Sequence, residues 1–348
     1  MRILLLAGVD LALPGGLETH VRELALGLER RGHEVEVLGR SSAQSPLRMV
    51  ESVEPRRYDV IHDHTGSVSP GRLAGPQLVR TLHFCVAAKM ATYVRLGRLR
   101  TLANPNNWQA VRIERERARS AASLIAVSER VRREFGRFHG LDPARASVIP
   151  NGASFAAPAE PRERLRARHG IPAEAPVVLT VGRDDFVKGF GLFSRAWSGS
   201  GAAEQGAVWV TVGGRGPSRA NSQIVTGPVS QQDVVDWIHA ADFGALPSYY
   251  EGCSLALLDM LAGGLYCLAH EVGNAAQVIR PGDNGEILKP RAREWAKALR
   301  RLAGRPPARV AGGLDPSYAW DALTERIEAI YRAAFAGSPV PEVAHHSS

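Results

Sequence analysis

Two carboxylates beside an apolar segment are the residues best suited to chemistry in this sequence. Glu251 lies on a glycine-containing turn, and Asp259 follows eight positions later. The apolar residues between and after them predict a buried helix, with Glu251 at its start and Asp259 two turns inside it. The free backbone N–H groups at such a helix start are suited to binding a phosphate group.

Histidines at the ends of two predicted strands are the next candidates. His62 and His64 flank Asp63, which could indicate a metal site because residues i and i+2 share one face of a strand. No third ligand follows at a usable spacing, so we predict no metal site. His83 ends the strand 79–83, where ligands bind in open α/β sheets. It is either an active-site residue or a hydrogen-bonded structural histidine.

Two glycine-containing loops each follow a predicted strand. Gly15 and Gly16 separate the first strand from a helix, and such a loop lets the backbone approach a ligand closely. A simple tight turn is the alternative, and the dinucleotide-binding pattern Gly-x-Gly-x-x-Gly is absent from the loop. In the second half of the chain, the strand 177–183 ends in Arg183, and the loop after it carries Lys188.

The order of the predicted elements indicates an α/β fold with two domains. Strands and helices alternate up to residue 151, and a second series begins at residue 177, after a segment rich in Pro, Ala and Arg that is typical of a linker. Two successive alternations predict two doubly wound, Rossmann-like domains facing a central cleft. We place the first domain at residues 1–155 and the second at residues 156–317.

The positive charge of the chain is confined to its first half. Residues 1–150 hold 23 Lys and Arg against 15 Asp and Glu, whereas residues 151–348 hold 20 of each. This excess favours an anionic partner, either a phosphorylated acceptor or an anionic membrane surface, and a solvated arginine-rich surface is the alternative. The basic helical region 86–120 has the same two interpretations. Nucleic acid is not expected, because no nucleic-acid-binding motif accompanies the charge.

The remaining composition is that of a soluble, intracellular protein. The chain has 348 residues and three cysteines, which lack metal-ligand spacing and favour reduced thiols in the cytoplasm. No apolar run reaches the about 20 residues that a membrane-spanning helix needs. Asp10 interrupts the apolar start of the chain, so we expect a buried first strand there rather than a signal peptide.

The motifs, taken in order, resemble those of the retaining glycosyltransferases of family 4, which have the GT-B fold. They are Gly15-Gly16, the Ile-Pro-Asn-Gly of residues 149–152, the Val-Gly-Arg of 181–183 with Lys188, and Glu251 with Asp259. The resemblance spans residues 3 to about 335. It implies transfer of a sugar from a UDP- or GDP-sugar to an acceptor hydroxyl, without a metal or other cofactor. It places the acceptor mainly on the first domain and the donor mainly on the second.

The resemblance also implies roles for individual residues. Glu251 holds the hydroxyls of the donor sugar, and His83 lies by the sugar and the acceptor. Arg183 and Lys188 neutralise the diphosphate, for which the sequence offers fixed cations and no Asp-x-Asp pair that could hold a metal. Asp259 binds the ribose, and the backbone near Val229 reads the base. The backbone amides of Gly15, Gly16, Ser254 and Leu255 serve as N–H donors. The full set of predicted donor-binding residues is Gly15, Gly16, Arg183, Lys188, Val229, Glu251, Gly252, Cys253, Ser254, Leu255 and Asp259.

The chain departs from the family pattern at two places. Asp259 stands where the pattern has Glu, and its side chain is one methylene shorter. Residues 272–277 lack the Pro and Glu that usually follow two glycines there, so the start of the helix at this point can differ. The resemblance further implies that the terminal helix 318–336 crosses back to the first domain. We predict hinges in the linker and before Trp320.

Two other functions are compatible with these motifs. A GT-B-fold epimerase would consume the nucleotide-sugar without an acceptor, and a catalytically silent subunit would only bind it. The donor sugar and the acceptor are not readable from the sequence. Cell-surface glycans, lipid-linked or phosphorylated acceptors, and secondary metabolites such as oligosaccharide antibiotics all remain open. Peripheral contact of the basic first half with the inner face of a membrane is a further expectation.

Overall fold

The computed structural model describes residues 1–11, 15–40, 47, 49–50, 54–64, 78–220 and 222–336. The chain divides into two compact units. One consists of Met1–Gly152 with Ser317–Ser348, and the other of Ala153–Pro316. These boundaries lie within three residues of those placed at 155/156 and 317/318 from the sequence.

The first unit is built on a parallel sheet of seven strands. Their order across the sheet is β3-β2-β1-β4-β5-β6-β7. The central strand β1 is apolar on both faces, and residues 3–7 are at most 1% exposed, as expected for a parallel strand covered on both sides. The strands are β1 (Arg2–Asp10), β2 (Glu34–Arg40), β3 (Met49–Val50), β4 (Val60–Asp63), β5 (Leu78–Leu82), β6 (Ser123–Ala126) and β7 (Ala146–Val148).

The helices of this unit begin and end at recognisable sequence signals. The region 86–120 forms three helices rather than one, since Gly97 adopts a φ of 77° and Pro105 starts a new helix after its cap Asn104. Ser128 caps the following helix by accepting a hydrogen bond from Val131 N. The helices are α1 (Gly16–Arg30), α2 (Val86–Arg95), α3 (Arg100–Ala103), α4 (Pro105–Ser120) and α5 (Glu129–His139).

The second unit contains a sheet of six strands in the order β10-β9-β8-β11-β12-β13. Strand β9 continues past Gly213 and Gly214, whose φ values of 107° and 83° redirect the chain. Its two halves pair with β10 in different registers. The strands are β8 (Val177–Gly182), β9 (Val208–Ala220), β10 (Gln223–Gly227), β11 (Phe243–Leu246), β12 (Tyr266–Ala269) and β13 (Gly285–Ile287).

Helices cover the second sheet and bury large aromatic side chains against it. Trp295 and Phe193 are fully buried in this core together with Phe243. A capping box formed by Ser230 and Asp233 fixes the start of the helix that follows β10. The helices are α6 (Arg162–Arg168), α7 (Phe190–Ser200), α8 (Gln231–Ala240), α9 (Leu255–Ala262), α10 (Ala275–Val278) and α11 (Ala292–Gly304).

The last helix, α12 (Trp320–Ala336), belongs to the first unit and begins two residues after the predicted 318. It packs closely on α1, where a Cβ at Gly27 would come within 2.6 Å of Thr324 Oγ1. Arg30 and Asp321 form an ion pair of 2.7 Å across this contact. Its apolar side enters the core of the first sheet through Ile327 and Tyr331. Among the described helices, none has the length and apolar character needed to cross a membrane.

Candidate functional site

The loops after β8 and β11 carry most of the residues of the second unit that the sequence predicts to be functional, and the loop after β12 packs beside them. These strands are neighbours in a parallel sheet, so their carboxyl ends lie at one edge, where ligands bind in open α/β sheets. The loop after β8 holds Arg183 and Lys188, and the loop after β11 holds Glu251. The structure therefore brings together residues that are more than 60 positions apart in the sequence.

An ion pair joins the two loops. Lys188 Nζ lies 2.8 Å from Glu251 Oε1, and the two side chains are 25% and 12% exposed. Ser248 Oγ donates a second hydrogen bond to the same oxygen at 2.7 Å. Within the described residues, Glu251 Oε2 has no hydrogen-bond partner. The carboxylate is thus fixed through one oxygen and presents the other.

Backbone contacts hold these loops in register. Tyr249 N donates to Val187 O at 2.7 Å. Gly189 adopts a φ of 71°, and a Cβ at this position would overlap the carbonyl oxygen of Pro247. Asp185 caps the short 3₁₀ turn before it by accepting from Val187 N at 3.3 Å. Only glycine allows the two loops to approach this closely.

A chain of hydrogen bonds from the core supports Ser248. His270 Nδ1 donates to Ser248 O at 2.9 Å, and Trp295 Nε1 donates to His270 Nε2 at 2.9 Å. Each ring nitrogen of His270 therefore has a defined role, and the imidazole is neutral. Burial lowers the pKa of His270, which agrees with this assignment. The sequence analysis missed both Ser248 and His270.

The helix after Glu251 starts later than predicted. Helix α9 begins at Leu255, so Glu251 precedes it and Asp259 lies just over one turn inside, not two. The amide of Ser254, predicted to bind phosphate, instead donates to Asn274 Oδ1 at 3.1 Å in the buried interior. The reason is that Gly273, with a φ of 54°, packs its loop directly on Gly252. That leaves Leu255 as the predicted amide donor at this helix start.

Asp259 is buried and bound by its own unit. Its Oδ1 accepts from Ser154 N at 2.8 Å, and its Oδ2 lies 3.4 Å from Gln231 Nε2. The side chain is 7% exposed. The predicted role in ribose binding is not tested by these contacts, but they show that the carboxylate also anchors the segment around Ser154.

The other predicted residues of the second unit differ in exposure. Arg183 is exposed directly after β8, and within the described residues its guanidinium forms no ion pair. Val229 is half-buried between β10 and α8. Gly252 and Cys253 are buried in the turn before α9. Arg183 is therefore the more accessible of the two predicted phosphate-binding cations.

In the first unit, His83 belongs to a group of aromatic side chains. Its Nε2 lies 3.1 Å from His64 Nδ1, and its ring centroid lies 4.8 Å from that of His20. His20 Nδ1 lies 3.0 Å from Asn151 Oδ1, and its ring packs edge-on against Trp320. The sequence analysis named His83 and His64 but not His20, which lies on α1 and belongs to none of the motifs that it considered.

Burial keeps these histidines neutral. It lowers the pKa of His20 to about 4 and holds the pKa of His64 and His83 well below the ordinary value. The ring of His62 packs against that of His64, with centroids 4.0 Å apart, and its two nitrogens contact Tyr331 Oη and Thr81 Oγ1. His62 and His64 therefore lie side by side but have different hydrogen-bond partners.

Gly15 and Gly16 lie at the start of α1, as the sequence predicts. Gly15 is the residue before the helix, and Gly16 is its first residue. The buried carboxylate of Glu18 lies over Gly15, where a Cβ would overlap Oε2. The anion beside this helix start is therefore a side chain of the protein itself, which is favourable in the first turn of a helix.

Replacement of Gly189 by Ala should destabilise the chain. A residue with a Cβ in this left-handed conformation costs about 1–2 kcal/mol, and the overlap with the Pro247 carbonyl adds to it. Urea denaturation should show a lower free energy of unfolding. Gly191→Ala is the matched control, since its Cβ meets nothing nearer than 3.9 Å and it lies in α7, where Ala gains about 0.5–1 kcal/mol. Equal effects of the two variants would contradict the close approach.

Acid should weaken folding through His20. Since its pKa falls from 6.5 to about 4 on folding, the unfolded chain binds a proton in this range that the folded chain does not, and the free energy of unfolding decreases as the pH falls from 6.5 to 4. The shift corresponds to about 3 kcal/mol. Urea denaturation at about pH 7 and about pH 4.5 should show a smaller acid loss for His20→Gln than for the parent chain. Equal losses would show that His20 does not contribute.

Two domain models match the chain, in the same order as its units. The model described as Glycosyltransferase Family 4 matches residues 39–156, and that described as Glycosyl transferases group 1 matches residues 175–305. A D-inositol 3-phosphate glycosyltransferase from Kineococcus radiotolerans is 28% identical over 403 residues, which cover 92% of this chain and 91% of that protein.

Solved structures show the same fold. Sucrose-phosphate synthase from Thermosynechococcus elongatus has a TM-score of 0.77 at 20% identity, covering 97% of this chain and 100% of that one. Anabaena Alr3699/HepE, in complex with UDP and glucose, has a TM-score of 0.68 at 18% identity, covering 97% and 98%. These findings confirm the fold and the family that the motifs indicated. The chain belongs to glycosyltransferase family 4 and is a glycosyltransferase with the GT-B fold.

Proposed function

We propose that this chain transfers a sugar from a UDP- or GDP-sugar to an acceptor hydroxyl with retention of the anomeric configuration. The observation that carries the proposal is the asymmetric binding of the Glu251 carboxylate. Lys188 and Ser248 both contact Oε1, and among the described residues none contacts Oε2. An ionised carboxylate accepts hydrogen bonds through both oxygens, so Oε2 is placed to accept from hydroxyls of the donor sugar.

The diphosphate of the donor requires positive charge. Lys188 keeps hydrogens on Nζ beyond the one directed at Glu251, and Arg183 is exposed on the same loop. The amide of Leu255 at the start of α9 adds a dipole of the same sign. Fixed cations and amides stabilise the charge that develops on a leaving group, so the transfer step needs no divalent cation at the diphosphate.

Retention follows from attack on the face that the nucleotide leaves. The bond between the anomeric carbon and the phosphate oxygen breaks, the acceptor oxygen forms its bond on the same face, and the leaving phosphate oxygen takes the acceptor proton. Glu251 does not serve as a nucleophile, because its charge is paired with Lys188 at 2.8 Å. Its role is to position the donor sugar.

The acceptor in this proposal is anionic. The net charge of +8 is confined to residues 1–150, and the relative from Kineococcus radiotolerans is named for D-inositol 3-phosphate. A phosphorylated acceptor used for a cell-surface glycan or a secondary metabolite satisfies both observations. Fixed positive charge raises the local concentration of such a ligand.

We further propose that an apolar tip on the first unit contacts an anionic membrane. The tip consists of the side chains of Leu96, Leu99, Leu102 and Trp108 at the junctions of α2, α3 and α4. Leu99 is 62% exposed and Trp108 54% exposed. Trp108 is held in place by a hydrogen bond of 2.8 Å from its Nε1 to Leu102 O.

The charges around the tip favour anionic lipid. Arg95, Arg98 and Arg100 are exposed between its apolar residues. Apolar side chains that enter the headgroup region, together with arginines that attract anionic lipid, are the features of a peripheral membrane contact. Such a contact would bring the enzyme to a lipid-linked acceptor at the cytoplasmic face.

Loss of the ion pair should abolish most transfer. Glu251→Gln and Lys188→Ala each remove a group that stabilises the transition state, and we expect kcat to fall about 10²- to 10³-fold. Nucleotide release from UDP- and GDP-sugars, with and without candidate acceptors, measures this effect. Lys297→Ala, on the exposed surface of α11, should retain full activity, and the parent chain should not need added Mg²⁺ for its full rate.

Three results would contradict this function. Unchanged turnover in folded Glu251→Gln and Lys188→Ala would show that these two residues do not form the site. Consumption of the nucleotide-sugar that does not depend on any acceptor would favour an epimerase. Binding of the nucleotide-sugar with no turnover under any condition would favour a silent subunit.

Binding to vesicles tests the apolar tip. The double variant Leu99→Ser, Trp108→Ser should sediment less with vesicles of anionic phospholipid than the parent chain, because it loses the most exposed apolar surface of the tip. Phe155→Ser is the matched control, since Phe155 is 45% exposed on the second unit. Equal binding of the double variant and the parent chain would show that the tip is not the membrane contact.

A further inference from the structure

Three histidines of the first unit direct ring nitrogens toward one another. We call His20, His64 and His83 the histidine cluster. One ring nitrogen from each lies within 4.8 Å of the others. His20 comes from α1, His64 follows β4 and His83 follows β5. Three imidazoles on three separate elements of the fold are the donor set of many zinc sites.

The cluster contains buried nitrogen atoms without partners. The amide oxygen of Asn151 can only accept, so His20 Nδ1 carries the proton that it donates, and Nε2 of the neutral ring carries a lone pair. His20 is 1% exposed, and His20 Nε2 and His64 Nε2 have no hydrogen-bond partner in the part of the chain that the structure describes. A buried polar atom left unpaired is costly, and a cation bound at His20 Nε2 would remove that cost there.

We propose that His20, His64 and His83 bind a divalent zinc-class metal ion through their ring nitrogens. In a tetrahedral zinc site, with Zn–N distances of about 2.0–2.1 Å, two ligand nitrogens lie about 3.3 Å apart. His64 Nδ1 and His83 Nε2 are already 3.1 Å apart. A nitrogen of His20 lies within 4.8 Å of one nitrogen of each other ring, so it needs to come closer by up to about 1.5 Å.

Asn151 has the position of an orienting partner. A histidine that binds a metal through one nitrogen usually donates its other N–H to a carbonyl or carboxylate, and loss of that partner weakens metal binding about 10- to 100-fold. The contact of 3.0 Å between His20 and Asn151 has this form.

A second group of donors in the same unit lacks these features. Cys85, Glu114 and His139 also lie close together. Burial raises the pKa of the Cys85 thiol, so it stays protonated and is not a thiolate ligand. Both oxygens of Glu114 accept from Val86 N at 3.0 Å, and one of them contacts His139 Nε2 at 2.7 Å. Glu114 and His139 are thus already paired with each other, although His139 Nδ1 is buried without a partner among the described residues, and the group provides a matched control.

Titration with Co²⁺ tests the site directly. The chain should be prepared without an affinity tag and with His345 and His346 replaced by Ala in every variant. We expect one equivalent of Co²⁺ to give the visible absorption of a tetrahedral site, and Zn²⁺ to displace it. His20→Gln should lose this absorption, and Asn151→Ala should weaken Co²⁺ binding about 10- to 100-fold.

Two controls separate the cluster from its neighbours. His62→Gln should bind Co²⁺ as the parent chain does, because both nitrogens of His62 are already hydrogen-bonded, and His139→Gln should do the same. A folded His20→Gln chain that keeps full Co²⁺ affinity would overturn the proposal, as would loss of binding in His139→Gln. If His20→Gln does not fold, unchanged Co²⁺ affinity in Asn151→Ala would overturn it. No nucleotide-sugar is present in this titration, so its outcome is independent of the proposed transferase activity.

Discussion

The parallel pairing of β8, β11 and β12 is the constraint on which the site of the second unit depends. Because these strands run the same way, the loops at their carboxyl ends meet, and residues 63 positions apart come within 2.8 Å. Gly189 decides how closely the first two loops approach, since only a residue without a Cβ fits against Pro247. The ion pair of Lys188 and Glu251 is therefore a consequence of backbone packing, not its cause.

The Glu251 carboxylate is only 12% exposed, so the loss of its hydration must be offset by hydrogen bonds and positive charge. The fold provides direct partners and a second set of residues that hold those partners in place. Lys188 and Ser248 bind one oxygen of Glu251 directly. Behind Ser248, His270 is held by Trp295, which is fully buried in the core of the second sheet. Such an arrangement fixes the side chain before any ligand arrives, which is the condition under which electrostatic stabilisation is effective. It also connects the stability of the core to the geometry of the site.

Much of this architecture follows from local sequence patterns. Alternating strand and helix signals predicted both units. The two residues of the ion pair, Lys188 and Glu251, were identified from their motifs. The hydrogen-bond partners were not, because Ser248, His270 and Asn274 act through contacts that depend on which strands are neighbours. The histidine cluster was not identified from the sequence for the same reason. The ligand spacing along one strand indicated His62 and His64, whereas His20 and His83 come from other elements. The late start of α9 depended on the packing of Gly273 against Gly252, which no local signal reveals.

The shorter acid at position 259 can be understood from the same packing. A buried carboxylate requires donors, and Asp259 receives the N–H of Ser154 at 2.8 Å while Gln231 Nε2 lies at 3.4 Å from its other oxygen. The backbone donor cannot be withdrawn without moving the chain, whereas the Gln231 side chain can rotate. If Asp259 binds the donor ribose, as the family resemblance implies, the hydroxyl has to displace the Gln231 side chain, because Ser154 N is held by the backbone. The shorter side chain of Asp is thus compatible with the contact to Ser154, which anchors the segment around it.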